Sequence, residues 1–457
     1  MKTNKLIISL SVGAYLLVCS CENLIETDYP SNQINVSQVF ETVSTADGAL
    51  SNLYAELQYY SVISGGTGGG GALLGTYTDD LTCYMASSQN SALDLFNNQQ
   101  LSTNNDVKSV WVNAYKEIYS ANSIIDGVEN SSGISETDKK RIKGEALFVR
   151  SLIYFYLSQI FGDVPYTIVT DYTFNQSLGK ISENELLLKI QNDLEFATIL
   201  LDDVYRNADR IYPNRKAAEL MLSLVLMQQK KWSEAEQQLK MIVQSPLYIW
   251  ENDLSKTFKK AGKHILWQLK PLKQNDPTEE AFTYYFAGTA PINYGLSEYL
   301  VQAFEPHDLR RQQWIKPIVA NQTTYYRNDK YRNIITNTEE YSVVFRLEEV
   351  YLLLAEALAQ QNKVEEALPF INKVRQKAGI NALTSSSKDV LLDKIVEENR
   401  REFFTERGNR FITLKRNNML NALSTVKPNW KPFHNVWPIP LSELLLNPNL
   451  NPQNTGY

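Results

Sequence analysis

Two pairs of carboxylic acids stand close enough together in the sequence to suggest hydrolytic chemistry. Asp79 and Asp80 are adjacent, and Glu402 and Glu406 are four residues apart in a segment with helical character. Two carboxylates that flank a glycosidic bond are the usual catalytic groups of glycosidases. Four arginines lie between residues 400 and 410, so structural ion pairs explain the two glutamates more simply. We therefore assign no catalytic role to these carboxylates.

A glycine-rich stretch and three histidines are the other candidates for site chemistry. The glycines from Gly66 to Gly71 have the spacing of a dinucleotide-binding loop. No strand pattern precedes them and no lysine follows them, so a flexible turn is the better interpretation. His264, His307 and His434 are far apart, which does not match the spacing of a zinc site. The sequence therefore predicts that the protein is not an enzyme, with no catalytic residue, no cofactor and no metal site of ordinary spacing.

The N-terminal segment contains the one cysteine with a clear chemical role. A short positive head precedes an apolar run from Leu6 to Val18, which is too short to span a membrane. The next residues complete a Val-Cys-Ser-Cys sequence that resembles a bacterial lipobox and ends at Cys21. We predict that residues 1–20 are a lipoprotein signal peptide, that Cys21 is acylated, and that residues 21–35 are a flexible tether.

Composition excludes several kinds of partner and fold. The chain has 45 basic and 51 acidic residues and no long run of lysine or arginine, so nothing in it favours nucleic acid binding. No segment after the signal approaches 18 consecutive apolar residues. Once residues 1–20 are removed and Cys21 is acylated, Cys83 has no disulfide partner, so packing must stabilise the fold.

Two segments repeat one helical design, at residues 215–244 and 346–377. Each has a helix with an apolar stripe, a short polar turn and a second striped helix. The turns are similar in sequence, with Lys-Trp-Ser-Glu-Ala in the first and Lys-Val-Glu-Glu-Ala in the second. Each pair resembles a tetratricopeptide repeat, although the two copies are not in tandem.

Further helix pairs complete the predicted architecture. They are expected near residues 39–128 and 138–201, so that four pairs form one curved scaffold within a single body over residues 36–457. Long irregular stretches near residues 62–106 and 247–340 separate the pairs. Compact domains rarely carry such long loops unless they have a function. The predicted fold class is therefore mostly α, with long irregular loops and a few short strands.

Three segments carry a resemblance to a known family. They are residues 144–165, 400–416 and 436–457, which include Gly-Glu-Ala-Leu-Phe-Val-Arg, Arg-Arg-Glu-Phe-Phe-Thr-Glu-Arg-Gly and Val-Trp-Pro-Ile-Pro. In this order they resemble the SusD/RagB family of lipoproteins of Bacteroidetes. One departure is Thr405 before Glu406, where the family more usually has Phe-Glu.

The resemblance implies a SusD-like fold and a role in nutrient uptake. Family members are lipid-anchored at the cell surface, in the outer membrane, and bind a nutrient that is usually an oligosaccharide. They work with a TonB-dependent channel of the SusC type and close over it like a lid. The expected partners are therefore a SusC-like channel, an oligosaccharide and the membrane through the lipid anchor, with no nucleic acid.

Candidate ligand-binding residues come from the composition of the two loop stretches, because the sugar-contacting aromatics of the family follow no fixed motif. Sugars present C–H faces to aromatic rings and hydroxyl groups to polar side chains. The candidates are Tyr77, Asp79, Tyr84 and Asn97 from the first stretch and Tyr284, Tyr285, Trp314 and Tyr325 from the second. A structural role remains open for each of them.

A ligand of another class also remains open. RagB-like relatives and tetratricopeptide grooves take polypeptide, so the alternative is a subunit that binds peptides or protein fragments for uptake. A peptide site should offer exposed backbone-pairing groups or a charged groove, whereas a sugar site should offer flat rings.

Overall fold

The computed structural model describes residues 36–86, 91–384 and 387–457. The predicted signal peptide, Cys21 and the predicted tether therefore lie outside the described residues. Within the described part the protein is mostly α-helical, as the sequence predicted.

Helices make up most of the described chain. In its first half they are α1 (Val36–Val39), α2 (Val43–Tyr59), α3 (Gly70–Tyr77), α4 (Ala92–Phe96), α5 (Asn105–Asn130), α6 (Glu136–Phe161), α7 (Tyr172–Asn175), α8 (Glu183–Leu200), α9 (Arg215–Gln228) and α10 (Trp232–Val243). In its second half they are α11 (Glu279–Tyr284), α12 (Glu298–Gln302), α13 (Leu309–Trp314), α14 (Leu347–Gln360), α15 (Val364–Lys377), α16 (Lys388–Phe403), α17 (Asn409–Arg416) and α18 (Leu441–Leu446). Short 3-10 helices lie at Leu254–Lys256, Leu420–Thr425, Pro432–Asn435 and Pro448–Leu450.

Short strands connect distant parts of the chain. They are β1 (Leu81–Cys83), β2 (Ile265–Leu269), β3 (Tyr294–Leu296), β4 (Ile315–Ala320), β5 (Thr323–Asn328) and β6 (Ser342–Arg346). One sheet has the order β1-β3-β5-β4 and the other pairs β2 with β6, with every pairing antiparallel.

Polar side chains define where the long helices begin. Each accepts a hydrogen bond from a backbone N–H two or three residues later, which satisfies a donor that the first helical turn leaves free. The capping residues are Thr42 before α2, Asn104 before α5, Ser135 before α6, Ser182 before α8 and Asn214 before α9.

The predicted helix pairs pack against one another in chain order. The partners within the pairs are α2 with α5, α6 with α8, α9 with α10, and α14 with α15. Contacts between α5 and α6, between α8 and α9, and between α10 and α14 join each pair to the next. The α-helical scaffold is therefore a continuous stack, and its core is one connected cluster of buried side chains from Phe40 to Leu450.

The two stretches that the sequence marked as irregular contain regular elements. The first includes α3, in which every residue is buried, and the second includes β2 to β5 and α11 to α13. β1 from the first stretch pairs with β3 from the second, and Leu81 lies opposite Leu296. The long loops are thus fixed to each other by a small sheet.

A buried group of charged side chains attaches the second stretch to the late helix α16. Glu402 accepts from Nη1 of Arg310 at 2.9 Å and from Nη1 of Arg346 at 2.5 Å, and all three side chains are at most 1 % exposed. Glu406 lies beyond the end of α16 and pairs with Arg346 at 2.9 Å and with Lys330 at 2.6 Å. Burial opposes ionisation of Glu402, but Arg346 and Arg310 outweigh it and keep its pKa below the ordinary range. The two glutamates therefore form structural ion pairs, although only Glu402 lies on the helix.

The glycine-rich turn at α3 is a site of close backbone packing. A Cβ at Gly71 would lie 2.2 Å from the carbonyl oxygen of Thr405, whereas a Cβ at Gly68 would meet no atom within 4 Å. Close backbone packing therefore requires glycine at position 71 but not at position 68.

We expect Gly71→Ala to reduce the free energy of unfolding by about 1–3 kcal/mol, because the backbone near Thr405 must move to accept the methyl group. Gly68→Ala is the matched control and should change it by less than about 1 kcal/mol. Urea unfolding of both variants measures the difference, and equal effects would contradict the packing argument.

Candidate functional site

The first sheet brings together one aromatic side chain from each loop stretch. Tyr84 follows β1, and its N–H donates to the carbonyl oxygen of Asn293 at 2.8 Å, just before β3. Tyr325 lies in β5, which pairs with β3. The two rings meet edge to face, with centroids 5.5 Å apart and planes at 76°. Tyr84 is 38 % exposed and Tyr325 is partly exposed, so the pair forms an aromatic surface that we call the tyrosine platform.

Gly295 in β3 leaves room for this platform. A Cβ at Gly295 would lie 3.2 Å from Cε2 of Tyr84 and 3.5 Å from Cγ of Pro291. The platform is therefore adjacent to Pro291 and Asn293, and both of these residues also line a cavity.

This cavity, which we call the sheet cavity, has a volume of about 320 Å³. Phe282, Tyr285 and Ile292 line it and are 75 %, 44 % and 80 % exposed. Thr289 and Asn293 contribute polar groups to the lining. Exposed apolar side chains beside a few polar groups are typical of small-molecule sites.

Arg327 holds the aromatic wall of the sheet cavity in place. The guanidinium carbon lies 4.7 Å from the centre of the Tyr285 ring. Nη1 of Arg327 donates to the carbonyl oxygen of Phe286 at 2.9 Å, and Nε donates to Asp329 at 2.9 Å. Because two hydrogen bonds fix the guanidinium group, the Tyr285 ring packs against a cation of defined position.

Glu280 anchors α11, the helix that carries Phe282. Its carboxyl group accepts from Oγ of Ser342 at 2.7 Å and lies against Gly65, where a Cβ would come within 2.1 Å of Cδ of Glu280. Burial raises the pKa of Glu280 to about 7, although the Ser342 hydrogen bond acts in the opposite direction.

Four of the candidate ligand residues are buried, which corrects the interpretation from composition. Trp314 is 1 % exposed, and its Nε1 donates to the carbonyl oxygen of Leu254 at 3.3 Å. Tyr284 is 2 % exposed and packs beside Tyr294, with ring centroids 6.5 Å apart. These two rings belong to the core and offer no face to a ligand.

Tyr77 and Asp79 are the other two buried candidates. Tyr77 has no exposed surface, and its hydroxyl donates to the carbonyl oxygen of His434 at 3.0 Å. Asp79 is 7 % exposed and pairs with Arg400 and Arg410, each at 3.0 Å. Burial raises the pKa of Asp79, but the two arginines outweigh that effect and keep it below the ordinary range. Both side chains therefore have structural partners.

Asn97 lies apart from the sheet cavity. It is partly exposed at the end of α4, and its carbonyl oxygen accepts from Nδ2 of Asn429 at 2.9 Å. Of the eight candidates, the structure thus brings together Tyr84, Tyr325 and Tyr285.

The candidates chosen from loop composition did not include four residues of the site, namely Phe282, Pro291, Ile292 and Arg327. Phe282 and Ile292 lie in a stretch without a clear helical or strand period, which gave no sign of whether they are buried. The only available signal was that a stretch without a helical or strand period has no core face, so its apolar residues could remain exposed.

Neither a metal cluster nor a membrane-spanning helix is found in the described part of the chain. Across residues 36–86, 91–384 and 387–457, no group of three or more His, Cys, Asp or Glu side chains is arranged to hold a metal ion. None of the helices in these ranges is long and apolar enough to cross a membrane.

Comparison with known proteins identifies the family. A family model described as "Starch-binding associating with outer membrane" matches residues 34–227, and the model of the SusD family matches residues 310–457. The chain belongs to the SusD/RagB family. This confirms the resemblance seen in the sequence.

Relatives of this SusD-family chain are similar over most of their length. A SusD-like protein of Formosa agariphila is 25 % identical over 421 residues, which cover 77 % of this chain and 80 % of the relative. A solved SusD superfamily protein from Bacteroides vulgatus has a TM-score of 0.77 at 19 % identity, and covers 91 % of this chain and 99 % of its own. Surface glycan-binding protein A from Bacteroides thetaiotaomicron, solved with laminarihexaose, has a TM-score of 0.76 at 16 % identity. The match covers 90 % of this chain and 99 % of that protein. These structures share the SusD fold.

In this SusD-family protein, Glu280 should make stability depend on pH. Its pKa in the folded protein is raised to about 7 from 4.5, so between these values the folded state keeps a proton that the unfolded state has lost. The contribution of Glu280 to the free energy of unfolding therefore falls as the pH rises from about 4.5 to about 7, by at most about 1.4 kcal/mol per pH unit. Between pH 5 and pH 8, the free energy of unfolding should therefore fall less in Glu280→Gln than in the wild type. Urea unfolding at the two pH values measures this difference.

The exposed Glu234 provides the control, because Glu234→Gln should keep the pH dependence of the wild type. A Glu280→Gln variant with an unchanged pH dependence would refute the assignment.

Proposed function

We propose that this protein binds an oligosaccharide at the tyrosine platform and the adjoining sheet cavity, and delivers it to a SusC-like TonB-dependent channel. The observation that carries the proposal is the meeting of Tyr84 and Tyr325 from two distant stretches at one exposed surface, with centroids 5.5 Å apart. The laminarihexaose complex of a protein with the same fold supports this ligand class.

The chemistry of the site suits a sugar chain. The C–H faces of pyranose rings can pack on Tyr84, Tyr325 and Tyr285, and hydroxyl groups can pair with Asn293 and Thr289. Each ring contact contributes about 0.5–1.5 kcal/mol, so two or three rings and a few hydrogen bonds give affinities from about millimolar to micromolar. Such an affinity allows release to a transporter.

The peptide alternative has one structural feature in its favour. β4 is an edge strand, and an edge strand can pair with an extended peptide. However, β4 carries Lys316 and Pro317, and a charged residue and a proline are the usual means of blocking such pairing. The platform therefore supports a sugar more strongly than the edge supports a peptide.

The pairing of the acidic groups suits a protein that binds a sugar without cleaving it. Glu402 lies between two arginines and Asp79 pairs with two others, so neither is free to transfer a proton to a ligand. The proposed function is therefore that of a binding protein, not an enzyme.

The proposed location is the outer face of the outer membrane, with acylated Cys21 as the anchor. The family description, which includes association with the outer membrane, supports this placement. The proposed SusC-like channel would lie beneath the protein, which would close over it as a lid. A lid needs a docking surface on the order of 2,000 Å² or more to remain bound.

Removal of the platform should weaken glycan binding. In a glycan array followed by titration of the best ligand, we expect Tyr84→Ala and Tyr325→Ala each to weaken binding by about 2- to 10-fold, and the double variant by more. Tyr172→Ala is the matched control, because Tyr172 is 77 % exposed and lies outside the site. Binding of oligopeptides that survives the double variant, with no glycan bound by the wild type, would favour the peptide alternative.

Replacement of the predicted lipid acceptor tests the location. Cys21→Ala should give a folded protein that stays in the periplasm and no longer supports growth on its nutrient. Surface labelling of intact cells and growth curves measure the two effects. A variant that still reached the surface and sustained uptake would be incompatible with both the anchor and the lid.

A further inference from the structure

The wall of the sheet cavity exposes more apolar surface than the stacking of a sugar ring requires. Ile292 and Phe282 both line it, and they are 80 % and 75 % exposed. Among the described residues, the only large hydrophobic side chain more exposed than Ile292 is Ile335, which follows the lining residue Ile334. Exposed apolar side chains gathered at one place mark an interaction site. Because isoleucine has no aromatic face, this part of the wall is suited to a methyl group.

The polar groups of the cavity are few and uncharged. Thr289 is exposed and Asn293 is partly exposed, whereas Thr283 is buried. The carbonyl oxygen of Asn293 accepts from the N–H of Tyr84, but no hydrogen bond joins its side-chain amide to another of the described residues. This amide is therefore available to donate to an acceptor on a ligand.

The cavity offers no counter-ion to a charged ligand group. No charged side chain of the described residues lines it. Arg327 lies behind Tyr285, but its Nε and Nη2 donate to Asp329 at 2.9 and 2.6 Å, and its Nη1 donates to the carbonyl oxygen of Phe286 at 2.9 Å. Removal of a charge from water without a partner is strongly unfavourable. A carboxylate, sulfate or ammonium group is therefore excluded from the cavity.

The sheet cavity and the tyrosine platform lie on the same face of the sheet. Tyr325 and Arg327 are two residues apart in β5, so their side chains point to the same side, and the Tyr285 wall packs on Arg327. A volume of about 320 Å³ is at the lower end of small-molecule sites, so the cavity accommodates one part of a longer ligand. The rest of that ligand can extend over the platform.

We propose that the sheet cavity binds an acetyl group carried by a neutral oligosaccharide, with the methyl group against Phe282 and Ile292 and the carbonyl oxygen paired with the amide of Asn293. An acetyl group combines an apolar carbon with an uncharged acceptor, as this lining requires. A free hydroxyl in the same place would lose its hydrogen bonds to water against the apolar wall. The inference rests on the proposed binding of a sugar chain at the tyrosine platform.

Titration calorimetry of the mature chain with matched pairs of sugars tests the proposal. N-acetylated chitotriose and cellotriose share one backbone, and they test the acetyl amide. Acetylated xylotriose and the same sugar after alkaline deacetylation test the acetyl ester. We expect at least one acetylated sugar to bind about fourfold or more tightly than its partner, because burial of one methyl group contributes about that factor.

The ratio of the two affinities within a pair locates the acetyl group. Ile292→Ser should reduce this ratio about twofold or more, because it removes part of the apolar wall. Ile199→Ser is the matched control and should keep the ratio, since Ile199 is 74 % exposed on α8 and outside the cavity. Tyr84→Ala should weaken both members of the pair and leave their ratio unchanged. Thermal melting of each variant checks that it is folded.

Several results would overturn the acetyl assignment. These are equal binding of both members in each pair, no binding of any of the sugars, or an equal change of the ratio in Ile292→Ser and Ile199→Ser. A ratio that falls only in Tyr84→Ala would place the acetyl group at the platform instead. In each case the proposed function survives if the glycan array yields a ligand that Tyr84→Ala weakens, and it fails separately if the array is silent.

Discussion

The burial of Glu402 between Arg310 and Arg346 is the constraint on which the rest of the structure depends. Each of these charges would be unstable in the core alone, and removal of one partner from a buried pair costs about 3–5 kcal/mol. Glu402 lies on α16, which packs on α14 of the scaffold. Arg310 lies on α13, which leads directly into β4, the partner of β5 and its Tyr325. Glu402 therefore connects the scaffold, through Arg310, α13 and β4, to the strand that carries Tyr325.

The same late segment also fixes the first loop stretch. Arg400 pairs with both Asp79 and Asp80, just before β1. The carbonyl oxygen of Asp80 accepts from the N–H of Ser297, which follows β3. Arg400 and Arg410 therefore hold the chain before β1, and Glu402 holds the chain before β4. The two edge strands of the four-stranded sheet, β1 and β4, are therefore positioned by α16 and the residues that follow it.

This arrangement matters for binding because the aromatic surface is fixed before a ligand arrives. Tyr84 is positioned by its backbone hydrogen bond to Asn293, and Tyr285 by the bound Arg327. A side chain that is already ordered loses less conformational entropy on binding, so a modest contact area can suffice.

The sequence by itself determined the helical scaffold, because the spacing of apolar residues and the capping side chains are local signals. Residues 215–244 and 346–377 were predicted as helix pairs, and both are pairs in the structure. Structural ion pairs of Glu402 and Glu406 were also predicted, but their partners are the distant Arg310, Lys330 and Arg346, and not the arginines between residues 400 and 410. Only the tertiary structure decided which loop aromatics are exposed. Tyr77 and Tyr84 are seven residues apart in similar surroundings, yet one is fully buried and the other is 38 % exposed. That difference depends on contacts with residues more than 200 positions away, such as His434 for Tyr77 and Asn293 for Tyr84, and no local pattern encodes them.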